Sequence, residues 1–303
     1  MNGTTEVNTP ARAVLSMLPC FLFLYVNGVM LFALLRKPLL LESSRYILFG
    51  HLLLTDSLQL VVTMLLYLFA VTMVRMVSYV CIFVTLFATI TVKMSPLNLA
   101  VMSLERYVAI CFPLRHADIA TSRRMGVAIA VMWSVASLES FIQLFLFVSL
   151  ENISFTLPRF CNKNSVLRLE IYTTLNKAFT IISFVLVSMI IIYTYIAIMQ
   201  TVKSASSNVC KARKAHKTVL LHLLQLCLCL TSTLFNTINS NGPSNINPAM
   251  AARLRYGLFL ALIIFPKCLS PLIYGLRDRT FRHVFKYYFT FGFRTTDKTF
   301  PES

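Results

Sequence analysis

The sequence predicts an all-α membrane protein, a bundle of seven transmembrane helices followed by a short amphipathic eighth helix. Two features of the composition indicate this fold class. Hydrophobic residues make up 57% of the chain, and its mean hydropathy is +0.73. Charged residues make up only 13%, about half of the roughly 25% of a soluble domain. A soluble fold could not bury so much apolar surface, so lipid is the expected solvent.

Seven apolar segments are long enough to span a bilayer, which takes about 20 residues per helix. Because no internal repeat is visible, residues 1–303 are predicted to form one domain. Residues 1–13 are expected to carry no cleaved signal peptide, so the first apolar segment would be the membrane anchor. The predicted spans are Val14–Leu35, Tyr46–Val71, Val77–Met102, Met125–Leu150, Thr173–Met199, Val219–Ile238 and Tyr256–Leu276.

The distribution of Lys and Arg between the spans predicts the orientation. With the N-terminus outside, the inner loops and tail hold seventeen of these residues and the outer segments hold seven. Positive charge is enriched on the cytoplasmic side of membrane proteins. Residues 1–13 are therefore predicted to be extracellular and residues 277–303 cytoplasmic. The possible glycosylation sites at Asn2 and Asn152 both fall outside in this arrangement.

The segment Arg277–Phe289 predicts the amphipathic eighth helix. It alternates basic residues with apolar ones at helical spacing, so one face would meet the apolar part of the inner leaflet and the other its anionic lipid. The alternative is a disordered basic tail. The apolar positions are Phe281, Val284, Phe285 and Tyr288.

Several function classes find no support in the residues. A net charge of +17 is typical of nucleic-acid binding, but here the charge lies in short loops between apolar segments, which fits membrane topology. No Ser/His/Asp order, H-E-x-x-H motif or glycine-rich phosphate loop appears among the 303 residues. No His or Cys has the neighbours of a metal site. Neither an enzyme nor a metal or other cofactor is expected.

The most informative stretch is Met102–His116, with the sequence MSLERYVAICFPLRH. It lies where the third apolar segment meets a basic loop. Glu105 and Arg106 place an acid and a base side by side at this border, followed by Tyr107. A charge pair at the face of a bilayer can be made or broken as helices shift. The stretch is therefore a candidate conformational switch.

This stretch resembles the end of the third helix of rhodopsin-like G-protein-coupled receptors. Its VAIC-x-PL tail is similar to the same segment of vertebrate odorant receptors in particular. The residues around Phe112 are closer to those of fish odorant receptors. The segment Ser270–Tyr274 resembles the Asn-Pro-x-x-Tyr motif of the seventh helix. The sixth span begins with basic residues and contains neither Pro nor Trp. Both features also favour the olfactory branch over amine or peptide receptors.

The resemblance implies further pairings and roles. It implies a disulfide between Cys81 and Cys161 over the outer helix ends. It also implies that Arg106 leaves Glu105 on activation, aided by Tyr107, Pro271, Tyr274 and an inner tyrosine of the fifth span. Tyr193 and Tyr195 both suit that position, and the sequence does not decide between them. The corresponding polar core would comprise Asn27, Asp56, Ser95, Lys267 and Ser270.

Asp56 and Ser95 match a sodium pocket of the family, and Lys267 departs from it. Asp56 and Lys267 lie at similar depths, about 16 and 15 Å from the predicted inner face. We therefore predict that Lys267 pairs with Asp56 and replaces sodium. The alternative is that Lys267 points toward backbone carbonyls or the bend of the seventh helix.

Lys93 and Glu139 form a second predicted ion pair. Counted from the basic ends of their spans, they lie at depths of about 20 and 22 Å. An ionisable group is costly in lipid, so each should face the bundle and have a partner. The favoured interpretation is a pair that fixes two helices together. The alternative is a polar group in the ligand cavity.

The resemblance places a ligand cavity in the outer half of the bundle, between helices three, five, six and seven. Ala88 occupies the position where amine receptors carry an Asp, so a cationic amine is not expected. The mixture of apolar and hydroxyl side chains suits a small, partly hydrophobic odorant. The candidate lining residues are Thr85, Ala88, Thr89, Val92, Thr233, Thr237, Leu260 and Ile263.

The predicted function is that of an odorant receptor in the plasma membrane. The family implies a heterotrimeric G protein as partner, of the stimulatory olfactory type that raises cyclic AMP, with membrane lipid around the bundle. One alternative is a rhodopsin-like receptor for another kind of small molecule. Another is a seven-span transporter or channel, but the paired repeats and broken helices common in transporters are missing.

Overall fold

Five long helices form the part of the chain that the computed structural model describes. It describes residues 8–72, 75–150, 158–160 and 169–204, and the single positions 220, 224 and 227. The predicted sixth and seventh spans, apart from those single positions, and the predicted eighth helix lie outside the described residues. All five long helices are long and apolar enough to cross a membrane. The prediction of membrane-spanning helices is therefore confirmed for the first five spans.

The long helices are labelled in chain order, and three short helical turns connect them. The single-turn helix Pro38–Leu41 follows the first long helix, and the turns Pro113–Arg115 and His116–Ile119 follow the third. The long helices are α1 (Asn8–Leu35), α2 (Ser44–Val71), α3 (Ser78–Cys111), α4 (Ser122–Leu150) and α5 (Glu170–Ser204).

The third helix is longer than the apolar segment that predicted it. The predicted span ends at Met102, but α3 continues to Cys111 and includes the Glu-Arg-Tyr stretch. Hydropathy marks the membrane border and not the end of the helix. The helix ends because Pro113 disfavours helical backbone in the residue before it, and Phe112 has left the helix with φ −129° and ψ 58°.

The core lies where α3 packs against α2, α4 and α5, while α1 packs on α2. Its central side chains are fully buried, among them Leu52, Met94 and Ile191. The opposite faces are apolar and exposed: Phe141 and Phe145 on α4 are 67% and 70% exposed. Apolar side chains on the outside of a bundle are expected when lipid replaces water as the solvent.

A short two-stranded ribbon is present that the sequence analysis does not predict. Strand β1 (Arg75–Val77) precedes α3 and pairs antiparallel with β2 (Pro158–Phe160), with Arg75 opposite Phe160. Each strand has only three residues, too few to show an alternating pattern. The ribbon brings the segment after α4 to the start of α3. Cys81, in the first turn of α3, is disulfide-bonded, and Cys161 lies outside the described residues.

Candidate functional site: the polar seam of α2, α3 and α4

Three polar contacts connect the first half of α2 to the second half of α3. Ser44 donates to Glu105, Asn98 meets His51, and Ser95 donates to Asp56. Residue numbers rise along α2 as they fall along α3, because the two helices are antiparallel. All six residues are buried. Buried polar groups are costly unless they are hydrogen-bonded, so these contacts define which faces of the two helices meet.

The Glu105 contact lies at the Arg106 end of the bundle. Nε of Arg106 lies 3.3 Å from Oε2 of Glu105, so the adjacent acid and base form an ion pair. The second oxygen of Glu105, Oε1, accepts from the Ser44 hydroxyl at 3.2 Å and lies 3.4 Å from Nε2 of His116. The Glu105 side chain is 5% exposed and the Arg106 side chain 20% exposed. Glu105 is therefore shielded from solvent, whereas Arg106 is accessible to water.

Tyr107 meets α5 through Tyr193. The two ring centroids are 5.9 Å apart, and the ring of Phe112 packs edge-on against Tyr107 with a centroid separation of 5.7 Å. Close by, Sγ of Cys111 lies 3.2 Å from the hydroxyl of Thr201 on α5. Tyr193 and Tyr195 are both candidates for the inner tyrosine, and Tyr195 is half-buried. The aromatic contact to Tyr107 favours Tyr193 as its closer partner.

Asp56 is the one acidic residue of α2. It is 1% exposed and accepts a hydrogen bond of 2.6 Å from the hydroxyl of Ser95. The two members of the predicted polar core on α2 and α3 therefore meet. Asn27, the member on α1, is also buried. Lys267 and Ser270 lie outside the described residues, so the predicted pairing of Lys267 with Asp56 stays a prediction.

Between these two levels, His51 connects three helices. Its Nδ1 lies 3.0 Å from Nδ2 of Asn98 on α3, and its Nε2 accepts from the indole N–H of Trp133 on α4 at 3.1 Å. An indole N–H can only donate, so Nε2 of His51 carries no proton and Nδ1 must be the N–H of a neutral ring. The oxygen and nitrogen of an Asn amide are assigned from the hydrogen-bond network. Because Nδ1 donates, the amide of Asn98 is flipped so that its oxygen accepts from Nδ1.

Sequence reasoning missed this contact. No partner was predicted for either His51 or Trp133. The signal was available, because a His within an apolar span needs a polar neighbour at its own depth.

Lys93 and Glu139 form an ion pair between α3 and α4. Glu139 is fully buried, and its Oε1 also accepts from Nε2 of Gln143, one turn further along α4, at 2.7 Å. Nζ of Lys93 lies 5.3 Å from the ring centroid of Phe179 on α5, which is within the range of a cation–π contact. The contact therefore joins three helices, and sequence reasoning identified two of its four members.

The predicted ligand-lining residues on α3 have different surroundings. Thr85 is buried, and its hydroxyl donates to the carbonyl of Cys81 in its own helix at 2.8 Å. Ala88 and Thr89 are half-buried, and Val92 is 47% exposed. Their contact with a ligand stays a prediction. The remaining predicted site residues lie outside the described residues: Thr233, Thr237, Leu260, Ile263, Pro271, Tyr274, Cys161, Asn2 and Asn152.

A bundle of membrane-length helices with an acid–arginine pair at one end of its central helix is consistent with a helical membrane receptor. The family model described as "7 transmembrane receptor (rhodopsin family)" matches residues 26–274. The chain therefore belongs to the rhodopsin family of seven-transmembrane receptors, among its odorant receptors. The odorant receptors of this family bind small molecules and signal through G proteins, and they are not enzymes.

Similarity to individual proteins extends over most of the chain. It is 34% identical to odorant receptor 131-2 of Danio rerio over 275 residues, covering 88% of this chain and 82% of that protein. It is 28% identical to olfactory receptor 10AD1 of Homo sapiens, covering 91% and 89% of the two chains. It is 29% identical to olfactory receptor-like protein COR2 of Gallus gallus, covering 86% and 85%.

Proposed function

We propose that this chain is an odorant receptor of the plasma membrane, in which an odorant in the outer half of the bundle controls a G protein at the Arg106 end. The Glu105–Arg106 pair carries the proposal. It lies at the end of the helix that contacts α2, α4 and α5, where a shift of any neighbour can reach it. The names of the similar zebrafish, human and chicken proteins support the same function.

In this proposal the Arg106 end faces the cytoplasm and the Cys81 end faces outward. The excess of Lys and Arg in the loops at the Arg106 end supports the orientation. Asn2 and Asn152 would then be open to glycosylation, and the disulfide of Cys81 would join Cys161 in an oxidising compartment. The segment 277–303 would lie on the inner leaflet as an amphipathic helix and tail.

The ligand site would lie on the side of α3 that carries Ala88, Thr89 and Val92. These side chains provide methyl groups and one hydroxyl, which favours a small and partly hydrophobic molecule. The predicted residues of the sixth and seventh spans, Thr233, Thr237, Leu260 and Ile263, would complete the lining. An odorant shifts the receptor toward the active arrangement only by the difference between its affinities for the two arrangements.

The active arrangement would separate Arg106 from Glu105. Arg106 is the more exposed partner, so it can exchange a carboxylate for water or for the tail of a G protein. Tyr107, packed on Tyr193, would follow the movement of α5. Pro271 and Tyr274 would bend and reposition the seventh helix.

The loop after α3 is suited to dock the G protein. Leu114 is 96% exposed, and the neighbouring Arg115 and the first arginines of α4, Arg123 and Arg124, are exposed as well. A large exposed apolar side chain beside basic residues can act as an anchor that fills an apolar pocket of the partner. The basic rim would attract acidic segments of the same partner.

A second element of the proposal is that Lys267 neutralises Asp56 in place of sodium. Asp56 is almost fully buried beside Ser95, so its charge requires a cation in the lipid-surrounded core. If so, odorant responses of the wild-type receptor should be the same in sodium and in choline buffers. A response that depends on millimolar sodium, and loses that dependence in Asp56→Asn, would contradict the replacement of sodium by Lys267.

The proposed function is tested in cells that carry a cyclic AMP reporter and a stimulatory olfactory G protein. Amino acids, amines, steroids and volatile odorants are applied to cells that express the chain. At least one class should raise cyclic AMP, and Arg106→Ala should abolish the response at equal surface delivery. The matched control is Arg36→Ala, since Arg36 lies at the same end of the bundle, packed on the ring of Phe32.

Two results would contradict the proposal. One is an odorant response that survives Arg106→Ala in a correctly delivered protein. The other is an ion current or solute flux evoked by the same panel without any G protein, which would favour the transporter alternative.

A further inference from the structure

The side-chain amide of Gln143 on α4 has a fixed orientation. Its Nε2 donates to Oε1 of Glu139 at 2.7 Å, and Glu139 is the partner of Lys93. A carboxylate in an ion pair can only accept hydrogen bonds, so the amide nitrogen must face Glu139 and the amide oxygen must point away from it. Gln143 is 1% exposed, and its oxygen has no hydrogen-bond partner among the described residues. A buried acceptor without a donor is costly, so a donor from another molecule is expected at this oxygen.

Gln143 lies at the level of two predicted ligand residues of α3, Thr85 and Thr89. Ser140, one turn before Gln143, donates to the carbonyl of Leu86 at 3.2 Å, and Leu86 lies between the two threonines in the sequence. Thr89 donates to the carbonyl of Thr85 at 3.0 Å. A hydroxyl has one hydrogen to donate. Ser140 and Thr89 therefore cannot also supply the donor for Gln143.

The surroundings of this oxygen favour a neutral donor on an apolar molecule. The charge of Glu139 is already balanced by Lys93, so an ammonium group would gain no net attraction and would meet a second cation. One turn further along α4, Phe147 packs in a buried apolar cluster with Tyr172 of α5. A site with apolar walls and one directed polar group suits a small molecule with a single hydroxyl.

We propose that Gln143 is a specificity-determining residue of the ligand site, whose amide oxygen accepts a hydrogen bond from the hydroxyl of a neutral alcohol. The site thereby extends from α3 to α4, and the carbon skeleton of the alcohol faces the apolar cluster of Phe147 and Tyr172. Glu139 orients the amide before the ligand arrives. The inference rests on the proposed function and adds the chemical class of the odorant.

The test compares alcohols with their own methyl ethers. Straight-chain, branched and aromatic alcohols, each with its methyl ether, are applied to cells that carry the cyclic AMP reporter. The ether keeps the oxygen and the carbon skeleton but cannot donate. In the wild type, the half-maximal concentration of an active alcohol should be about tenfold below that of its ether, the effect of one hydrogen bond. Gln143→Met, a side chain of similar length without the amide, should make the two concentrations equal.

A ratio and a binding measurement separate recognition from folding. Gln143→Met also removes a donor to Glu139, so its surface delivery should decrease, but the ratio of alcohol to ether potency in the same cells does not depend on delivery. Thermal unfolding of the purified receptor needs no G protein: the alcohol should raise the wild-type Tm more than its ether does, and this difference should vanish in Gln143→Met.

The matched control is Gln59→Met. Gln59 is a buried glutamine of α2, and its amide oxygen also has no hydrogen-bond partner among the described residues. The control therefore makes the same chemical change on a different helix. It should keep the preference for alcohols over ethers.

Every other outcome decides against the inference. If Gln143→Met keeps the preference for alcohols, a buried water and not the ligand is the donor to Gln143. If Gln59→Met loses that preference equally, the effect is not specific to α4. If other odorants raise cyclic AMP but alcohols are no better than their ethers, the ligand class is wrong and the proposed function stands. If no odorant raises cyclic AMP and none shifts thermal unfolding, both are wrong.

Discussion

Two acid–base pairs lie along α3, thirteen residues apart, and they differ in surroundings. The Lys93–Glu139 pair joins two helices, and its acid is fully buried. The Glu105–Arg106 pair joins adjacent residues of one helix, and the Arg106 side chain is 20% exposed. About 20 Å of helix separates them. An acid–base pair can therefore stabilise the bundle at its centre, and a second pair of the same kind can form a releasable contact at its end.

Depth explains the difference. A charge whose partner is removed deep in the bundle has no water to replace that partner, so breaking the pair destabilises the fold. At the end of the bundle, water or another protein can take the vacant position. We expect the stability cost of breaking a polar contact to decrease from Lys93 toward Arg106, while the effect on signalling increases.

The largest effect is expected for Lys93→Met. It leaves the Glu139 carboxylate buried with only the amide of Gln143 as a donor in the described contacts. An uncompensated buried charge costs about 3–5 kcal/mol. The variant should fail to reach the cell surface, measured by staining of an N-terminal tag, and the solubilised protein should unfold at lower temperature.

Two double variants are the controls for Lys93→Met. Lys93→Met with Glu139→Leu removes both charges, so delivery should return. Lys93→Glu with Glu139→Lys keeps the pair in reverse, and some delivery should return. Wild-type delivery and stability of the single variant would show that the pair contributes nothing to the fold.

An intermediate effect is expected for Ser95→Ala. Its hydroxyl donates to the Asp56 carboxylate at 2.6 Å, and a hydrogen bond to a charged group is worth about 1.5–3 kcal/mol. Thermal unfolding of the purified receptor measures the loss. Ser103→Ala is the matched control: Ser103 is also buried on α3, but it donates to the backbone of Ala100 in its own helix. Equal losses in the two variants would mean that Asp56 gains nothing from Ser95.

A smaller loss, about 1 kcal/mol, is expected for Trp133→Phe, which removes a hydrogen bond between neutral groups. Phe keeps an aromatic ring but cannot donate to Nε2 of His51. His51→Phe should also destabilise the receptor, and the double variant should lose less than the sum of the two, because both break the same contact. Additive losses in thermal unfolding would contradict the contact.

The residues that sequence could pair were those in continuous helices. Lys93 and Glu139 could be matched because the rise per residue is constant and charges are rare in lipid. Asp56 and Ser95 came from the family resemblance, and they meet in the structure. Depth along a helix is readable from sequence, because each span starts at a recognisable border.

Some of the residues that sequence did not pair lie where the chain leaves a helix. His116 reaches Glu105 only because the loop folds back after Pro113, and no periodicity predicts that path. The short ribbon of β1 and β2 was not predicted either, because strands of three residues are too short to show alternating hydrophobicity. The end of α3 was placed nine residues too early, at Met102, because hydropathy falls before the helix ends.

The smallest effect on stability and a clear effect on signalling are expected together for Glu105→Gln. The amide is isosteric, and its oxygen can still accept from Ser44 and His116, so unfolding should change by less than about 1 kcal/mol. The attraction for Arg106 is lost, however, so basal cyclic AMP should rise. The matched control is Glu42→Gln, an exposed acid in the loop before α2. If Glu105→Gln instead destabilised the receptor as strongly as Lys93→Met, both pairs would be structural, and the contrast between the centre and the end of α3 would not hold.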